Sequence, residues 1–140
     1  MLQACHGKHA PMAADRPTFI RTARDAVNLF EPLFDGRINE KLVVAYLAVD
    51  RRLLKLGEVE GCSVEVSVPA RLIVACALDI DAHGLILAHN HPSGDPSPSE
   101  ADLHATRRLI TATEVLGIAV HDHLIFGGGD CRSLRAMGLL

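Results

Sequence analysis

One stretch limits the folding options of this chain more than any other. The apolar run Leu85-Ile-Leu-Ala88 leads without a break into His89-Asn-His91, and residues 92–98 then hold three Pro and a Gly. A short apolar run of this kind suits a buried strand, whereas Pro-Ser-Gly-Asp-Pro-Ser-Pro can join neither helix nor sheet. Ser99-Glu-Ala-Asp102 matches a capping box, so a helix opens there, with Leu103, Thr106, Ile110 and Thr113 along one stripe and an end at Gly117. Strand, rigid loop and helix are therefore consecutive, and the loop must fold the helix start back towards the strand end.

The remaining segments fill in one domain around that unit. Residues 1–17 lack apolar periodicity and carry two Pro, which predicts a mobile tail ahead of a single domain over 18–140. Cys5, His6 and His9 in that tail could bind a metal only adventitiously. Thr22-Ala-Arg-Asp25 predicts a capped helix with Ala23, Ala26, Val27 and Phe30 on one face, stopped by Pro32 and Gly36. Leu42 to Val49 predicts a buried strand, Asp50-Arg51 a turn, and Leu53 to Val59 the hairpin partner. Ser63 to Val68 alternates Val with polar residues and predicts a half-exposed strand. Pro69 suits a first helical position, followed by Leu72, Ile73, Cys76 and Ile80 at helical spacing, with Gly84 as punctuation. A strand near Ala119–Phe126 and a Gly127-Gly-Gly-Asp130 turn complete a mixed α+β sandwich, a central mixed β-sheet flanked by helices.

Composition narrows the function classes. The chain has 140 residues, 49% hydrophobic and 22% charged, which is globular composition with enough length for one core. Fourteen basic against seventeen acidic residues give a formal charge of −3, and there is no Trp, one Tyr and four Phe. That balance disfavours a charge-driven nucleic-acid coat and a base-stacking platform. Arg51, Arg52 and Lys55, and Arg107-Arg108, are expected to be solvated faces. No apolar run approaches a membrane span, and no signal peptide is expected. Four scattered Cys without a Cys-x-x-Cys pair predict reduced thiols in a cytoplasmic protein.

The chemistry lies with His89, His91 and Asp102. Side chains two apart on a strand share a face, so the two imidazoles can converge, and Asp102 lies on the first turn of the returning helix. Two His and one carboxylate give three ligands for one Zn2+ per chain, leaving a fourth position open to water, as in catalytic zinc sites. Taken singly, each piece has a plainer reading: surface histidines at a strand end, and a helix cap that needs no metal. No His-Glu-x-x-His protease motif and no zinc-deaminase signature is present, and Gly127-Gly-Gly129 lacks the Lys-Ser/Thr of a phosphate loop. Asp95 is expected to shape its loop, and His83, His104 and His121 to lie at surface or boundary positions. For a general base, Glu58, Glu60 and Glu65 are candidates equal to Glu40 on chemistry alone.

His89-x-His91, seven residues, Ser99, two residues and Asp102 resemble the JAMM motif of JAB/MPN metalloproteases. The fuller run His89 to Ser99, with Asp102, Thr106 and Asp122-His-Leu-Ile125, is similar to the bacterial RadC family, over roughly residues 22–140. The resemblance implies a JAB/MPN-like fold with a cytidine-deaminase-like architecture. It implies Glu40 as general base, Ser99 as donor to an oxyanion, and a peptide or isopeptide bond as substrate. Asp122 and His123 resemble a family-typical pair, with a hydrogen-bonding role expected. The helix-hairpin-helix region that usually precedes this part of RadC proteins is not expected here, and Glu58 to Ser63 follows the family only loosely.

Two other function classes compete with the hydrolase. A DNA repair or recombination factor, with or without metal-dependent nuclease activity, is the label that RadC carries. A binding module could keep a metal for stability alone, but would have no need of Glu40 and Ser99. The partners expected are a peptide or protein substrate, with direct nucleic-acid binding disfavoured, no membrane, and a homodimer compatible with the sequence.

Overall fold

A computed structural model describes residues 16–60 and 68–140 of the chain. The tail expected over residues 1–17, apart from its last two residues, lies outside the described residues. So does the strand expected over Ser63–Val68, apart from Val68. Among the described residues the order is α1 (Ala23–Phe34), β1 (Lys41–Leu47), β2 (Leu53–Glu60), α2 (Ala70–Asp79), β3 (Gly84–Asn90), α3 (Glu100–Glu114), β4 (Ala119–Gly127) and β5 (Asp130–Ser133). The strands form one sheet in the order β2-β1-β3-β4-β5. β3 and β4 run parallel, joined through α3, and every other neighbouring pair is antiparallel. This is the expected mixed sheet flanked by helices, and it is consistent with a JAB/MPN fold.

β1 and β3 are buried along their whole length, because helices cover both faces of the sheet. On one face Phe30 and Phe34 of α1 pack on Val43, Ala45, Ile86, Ala88 and Phe126. On the other, Ile73 and Cys76 of α2 and Leu109 of α3 pack on Leu42, Val44, Leu85 and Leu87. The period-two alternation of β3 puts His89 on the same face as Leu85 and Leu87, towards α3. No described helix is long and apolar enough to cross a membrane.

Both capping boxes form: Asp25 N donates to Thr22 Oγ1 at 3.1 Å, and Asp102 N donates to Ser99 Oγ at 3.0 Å. Elsewhere the boundaries differ from expectation. Pro32 does not stop α1, which runs to Phe34 and keeps Phe34 buried against Phe126. Proline removes one donor, but burial of the next turn outweighs that loss. Pro69 is the N-cap of α2 rather than its first residue, Leu72 is exposed, and Ala77 takes the core position instead. Gly84 opens β3 instead of preceding it. The edge strand β5 was not expected.

Candidate metal centre

Three elements bring the polar residues together at one end of the sheet. In the β1–β3 ladder Leu42 lies opposite His89. An antiparallel register then sets the residue two before Leu42 level with the residue two after His89, which is Glu40 beside His91. The Pro-rich loop returns α3 so that its first turn faces the same point. His89 Nε2 and His91 Nε2 lie 2.9 Å apart. Asp102 Oδ1 is 3.3 Å from the first and Asp102 Oδ2 is 3.2 Å from the second. Glu40 Oε1 stands 3.9 Å from both. One ligand atom each from Glu40, His89 and His91 lie within 4.8 Å of one another, a cluster able to hold a metal ion.

Each of these side chains is held from behind. Asn90 takes the backbone on both sides of Glu40: Lys41 N donates to Asn90 Oδ1 at 2.8 Å, and Asn90 Nδ2 donates to Asn39 O at 3.1 Å. His91 Nδ1 donates to the carbonyl of Asp95 at 2.8 Å. His89 Nδ1 lies 2.6 Å from Nε2 of His123, whose Nδ1 is 2.7 Å from Thr106 Oγ1. Asp102 Oδ2 also accepts from Ser99 N at 2.8 Å, so the cap and the cluster share one carboxylate. Ser99 Oγ accepts from Asp102 N and keeps its own proton to donate.

The electrostatics favour positive charge at this point. Burial opposes ionisation of Asp102, but the His89 and His91 imidazoles and Ser99 N–H outweigh it and hold the carboxyl well below the usual range. Asp102 in turn raises His91 against the opposing effect of burial. Burial, helped by His89, pushes His123 down to about 3, so that ring is neutral. Two imidazole nitrogens and two carboxylates, with no thiol among them, suit a divalent metal of borderline hardness.

The other candidates fall elsewhere. Asp95 shapes its loop as expected: its Oδ1 accepts from Ser97 N at 2.9 Å, and its carbonyl orients His91. Asp122 bonds the backbone of its expected partner, accepting from His123 N at 2.7 Å, and also takes Ser133 Oγ at 2.6 Å and Arg135 N at 3.1 Å to hold the C-terminal turn. His83 and His104 are exposed and His121 is half-buried. The Arg51 guanidinium meets His121 Nδ1 at 3.0 Å, which corrects its expected place on a solvated face. Sequence reasoning did not single out Asn90, and it placed Thr106 in the helix stripe and in the family resemblance without giving it a chemical role. Their positions inside a strand end and a helix stripe carry no local signal for what they do. A cleft of about 640 Å³ opens beside His91, lined in part by Phe34, Arg37, Asn90, Phe126 and Gly129.

The profile of one protein family, the RadC-like JAB domain, matches residues 20–139. The chain belongs to the RadC family. Similar proteins carry the name UPF0758. One from Rhodobacter capsulatus is 47% identical over 97 residues, covering 67% of this chain and 45% of the relative. One from Ruegeria pomeroyi is 43% identical over 107 residues, 74% of this chain and 47% of the relative. A third, from Aquifex aeolicus, is 38% identical over 123 residues, 86% of this chain and 52% of the relative. The RadC domain described here thus spans about half the length of these curated relatives. Their names assign no activity.

Proposed function

We propose that this RadC domain is a zinc-dependent hydrolase of peptide or isopeptide bonds, acting in the cytoplasm on a peptide or protein substrate. The observation that carries the reading is the convergence of His89, His91, Asp102 and Glu40, with Ser99 bonded to Asp102. His89, His91 and Asp102 would hold the ion and Glu40 would serve as base. The Asp102 distances support its place among the ligands. Ligands about 2.1 Å from a tetrahedral ion stand roughly 3.4 Å apart. The His–Asp separations of 3.2 and 3.3 Å lie close to that value, whereas the His–His separation of 2.9 Å and the Glu40 contacts at 3.9 Å lie on either side of it.

A zinc ion, when bound, supplies Lewis-acid activation of water and of an amide carbonyl. Glu40 then takes a proton from the attacking water and delivers it to the departing amine. Ser99 Oγ–H donates a hydrogen bond to the oxygen that gains charge at the former carbonyl. Asn90 keeps Glu40 in place by gripping the peptide groups on either side of it. The cleft beside His91 offers room for an extended segment of substrate.

Metal content decides first. Mass spectrometry of the purified protein should find about one zinc per chain, lost in His89→Ala and in Asp102→Ala. A screen of peptide and isopeptide substrates should then show cleavage by the wild type. Glu40→Gln should keep its zinc and lose at least about 100-fold in rate, the usual worth of a positioned base. Absence of stoichiometric zinc after zinc is resupplied would overturn the proposal.

A further inference from the structure

His89 faces the cluster through Nε2, and its other ring nitrogen begins a buried chain of hydrogen bonds. That chain runs from His89 Nδ1 to His123 Nε2 at 2.6 Å, then from His123 Nδ1 to Thr106 Oγ1 at 2.7 Å, then from Thr106 Oγ1 to the carbonyl of Asp102 at 2.7 Å. The last bond sets the direction of all the others. A carbonyl oxygen only accepts, so Thr106 gives it the single hydroxyl proton and offers His123 a lone pair. His123 therefore donates from Nδ1. Its ring is 1% exposed, and among the described residues its two nitrogens meet a hydroxyl and an imidazole but no carboxylate, a setting in which a charged imidazolium is costly. A neutral ring protonated at Nδ1 has its lone pair on Nε2. His89 must then donate from its own Nδ1, which leaves the lone pair of His89 on Nε2.

We propose that Thr106 and His123 are positioning residues that hold His89 as its Nδ1–H tautomer, so that Nε2 meets a cation with a lone pair rather than a proton. The proposal deepens the metal-site reading and rests on it for its purpose. His91 is set in the same tautomer by a different device, the carbonyl of Asp95 in the Pro-rich loop. The two imidazoles thus draw their orientation from separate elements, one from the loop and one from α3 through β4. The relay also begins on the peptide group of Asp102, whose carboxylate reaches the cluster. A shift of the first turn of α3 would therefore disturb Asp102 and His89 together. Buried partners behind a metal-binding imidazole fix its ring and tautomer, and their loss typically costs 10–100-fold in metal affinity.

The test compares the 140-residue wild type with Thr106→Val, which is nearly isosteric, and Thr106→Ser, which restores the hydroxyl. Long-range 1H–15N correlation spectra of chelator-treated protein report the tautomer of each ring. The wild type and Thr106→Ser should show His89 holding a proton on Nδ1. Thr106→Val should show a mixed His89 population. Its zinc affinity, read by competition with a chromophoric chelator, should fall by about tenfold or more. Thr106→Ser should bind zinc within about twofold of the wild type, since its hydroxyl still offers the bond. A merely structural Thr106 would lower the melting temperature of Thr106→Val and leave tautomer and zinc affinity unchanged, which would overturn the proposal. So would a wild type with His89 bare on Nδ1 and protonated only on Nε2, a spectrum that requires no variant to fold. If the wild type binds no zinc, the metal reading fails separately, and the spectra of the chelator-treated protein still decide the relay.

Discussion

Asn90 sits between the two histidines and grips the chain on either side of Glu40 with both ends of one amide. It is buried, as is Lys41, so Asn90→Ala would strand the N–H of Lys41 and release the chain at the exposed Asn39. The expected cost in stability is about 1–3 kcal/mol, read as a shift in a denaturant midpoint. Because the grip flanks the base, hydrolysis should fall further than the stability loss explains, while zinc content stays near that of the wild type. Equal zinc and undiminished turnover in Asn90→Ala would show that Glu40 needs no such support. The contrast between Asn90 and its neighbours shows what the sequence reveals at this scale. His89, His91 and Asp102 are legible because strand alternation and one short loop connect them. Glu40 depends on the β1–β3 register, a link across 49 residues, and only the family resemblance pointed to it. Asn90, Thr106 and His123 act through partners that are distant in the chain or hidden in a helix stripe, so no local pattern marks their roles.

Two capping boxes of the same type do different work. Thr22 caps α1 far from the cluster, whereas Ser99 caps α3 with the carboxylate that reaches both imidazoles. Thr22→Ala and Ser99→Ala should each cost about 1 kcal/mol of stability as lost caps. Hydrolysis should be untouched in Thr22→Ala and reduced on the order of 100-fold in Ser99→Ala, since a preorganised oxyanion donor is worth about 3 kcal/mol. Equal activity in the two variants would remove Ser99 from the reaction. The loop between β3 and α3 has its own support in the β4–β5 turn. Gly128 has φ +58°, and a Cβ there would lie 2.6 Å from the carbonyl of Gly94. Gly128→Ala should therefore destabilise the protein by about 1–3 kcal/mol, since the strained turn and the loop cannot both keep their places. At this scale the legible elements are those whose burial is complete. β1 and β3 read as strands because both faces are covered, whereas β5 is four partly exposed residues at the sheet edge and carries no apolar pattern. α1 outlasts Pro32 because Phe34 has a core to enter, and that information belongs to the packing rather than to the helix.

At the scale of the whole molecule, the question is whether a metal would hold the fold together or only occupy it. The cluster joins the start of β1, the end of β3 and the first turn of α3, so bound zinc would tie together three segments that separate on unfolding. A ligand that binds only the folded state adds stability by mass action, about 2.7 kcal/mol at a hundredfold excess over its dissociation constant. For a domain of 140 residues that corresponds to a rise in melting temperature of roughly 6–12 °C. The rise should be absent in His89→Ala and Asp102→Ala and present in Glu40→Gln, which removes the base and leaves the proposed ligands. The fold itself has other sources of support. Two apolar clusters, one on each face of the sheet, bury Phe30, Leu42, Leu47, Ile73, Leu85, Leu87 and Leu109. Small metal-dependent domains unfold on chelation because their cores are too small to stand alone, and this core is not of that kind. Chelation should therefore lower the melting temperature while leaving a cooperative transition and the circular dichroism of a mixed sheet and helices. Collapse of that signal on chelation would make the metal a structural one, and the hydrolase reading would lose its open site.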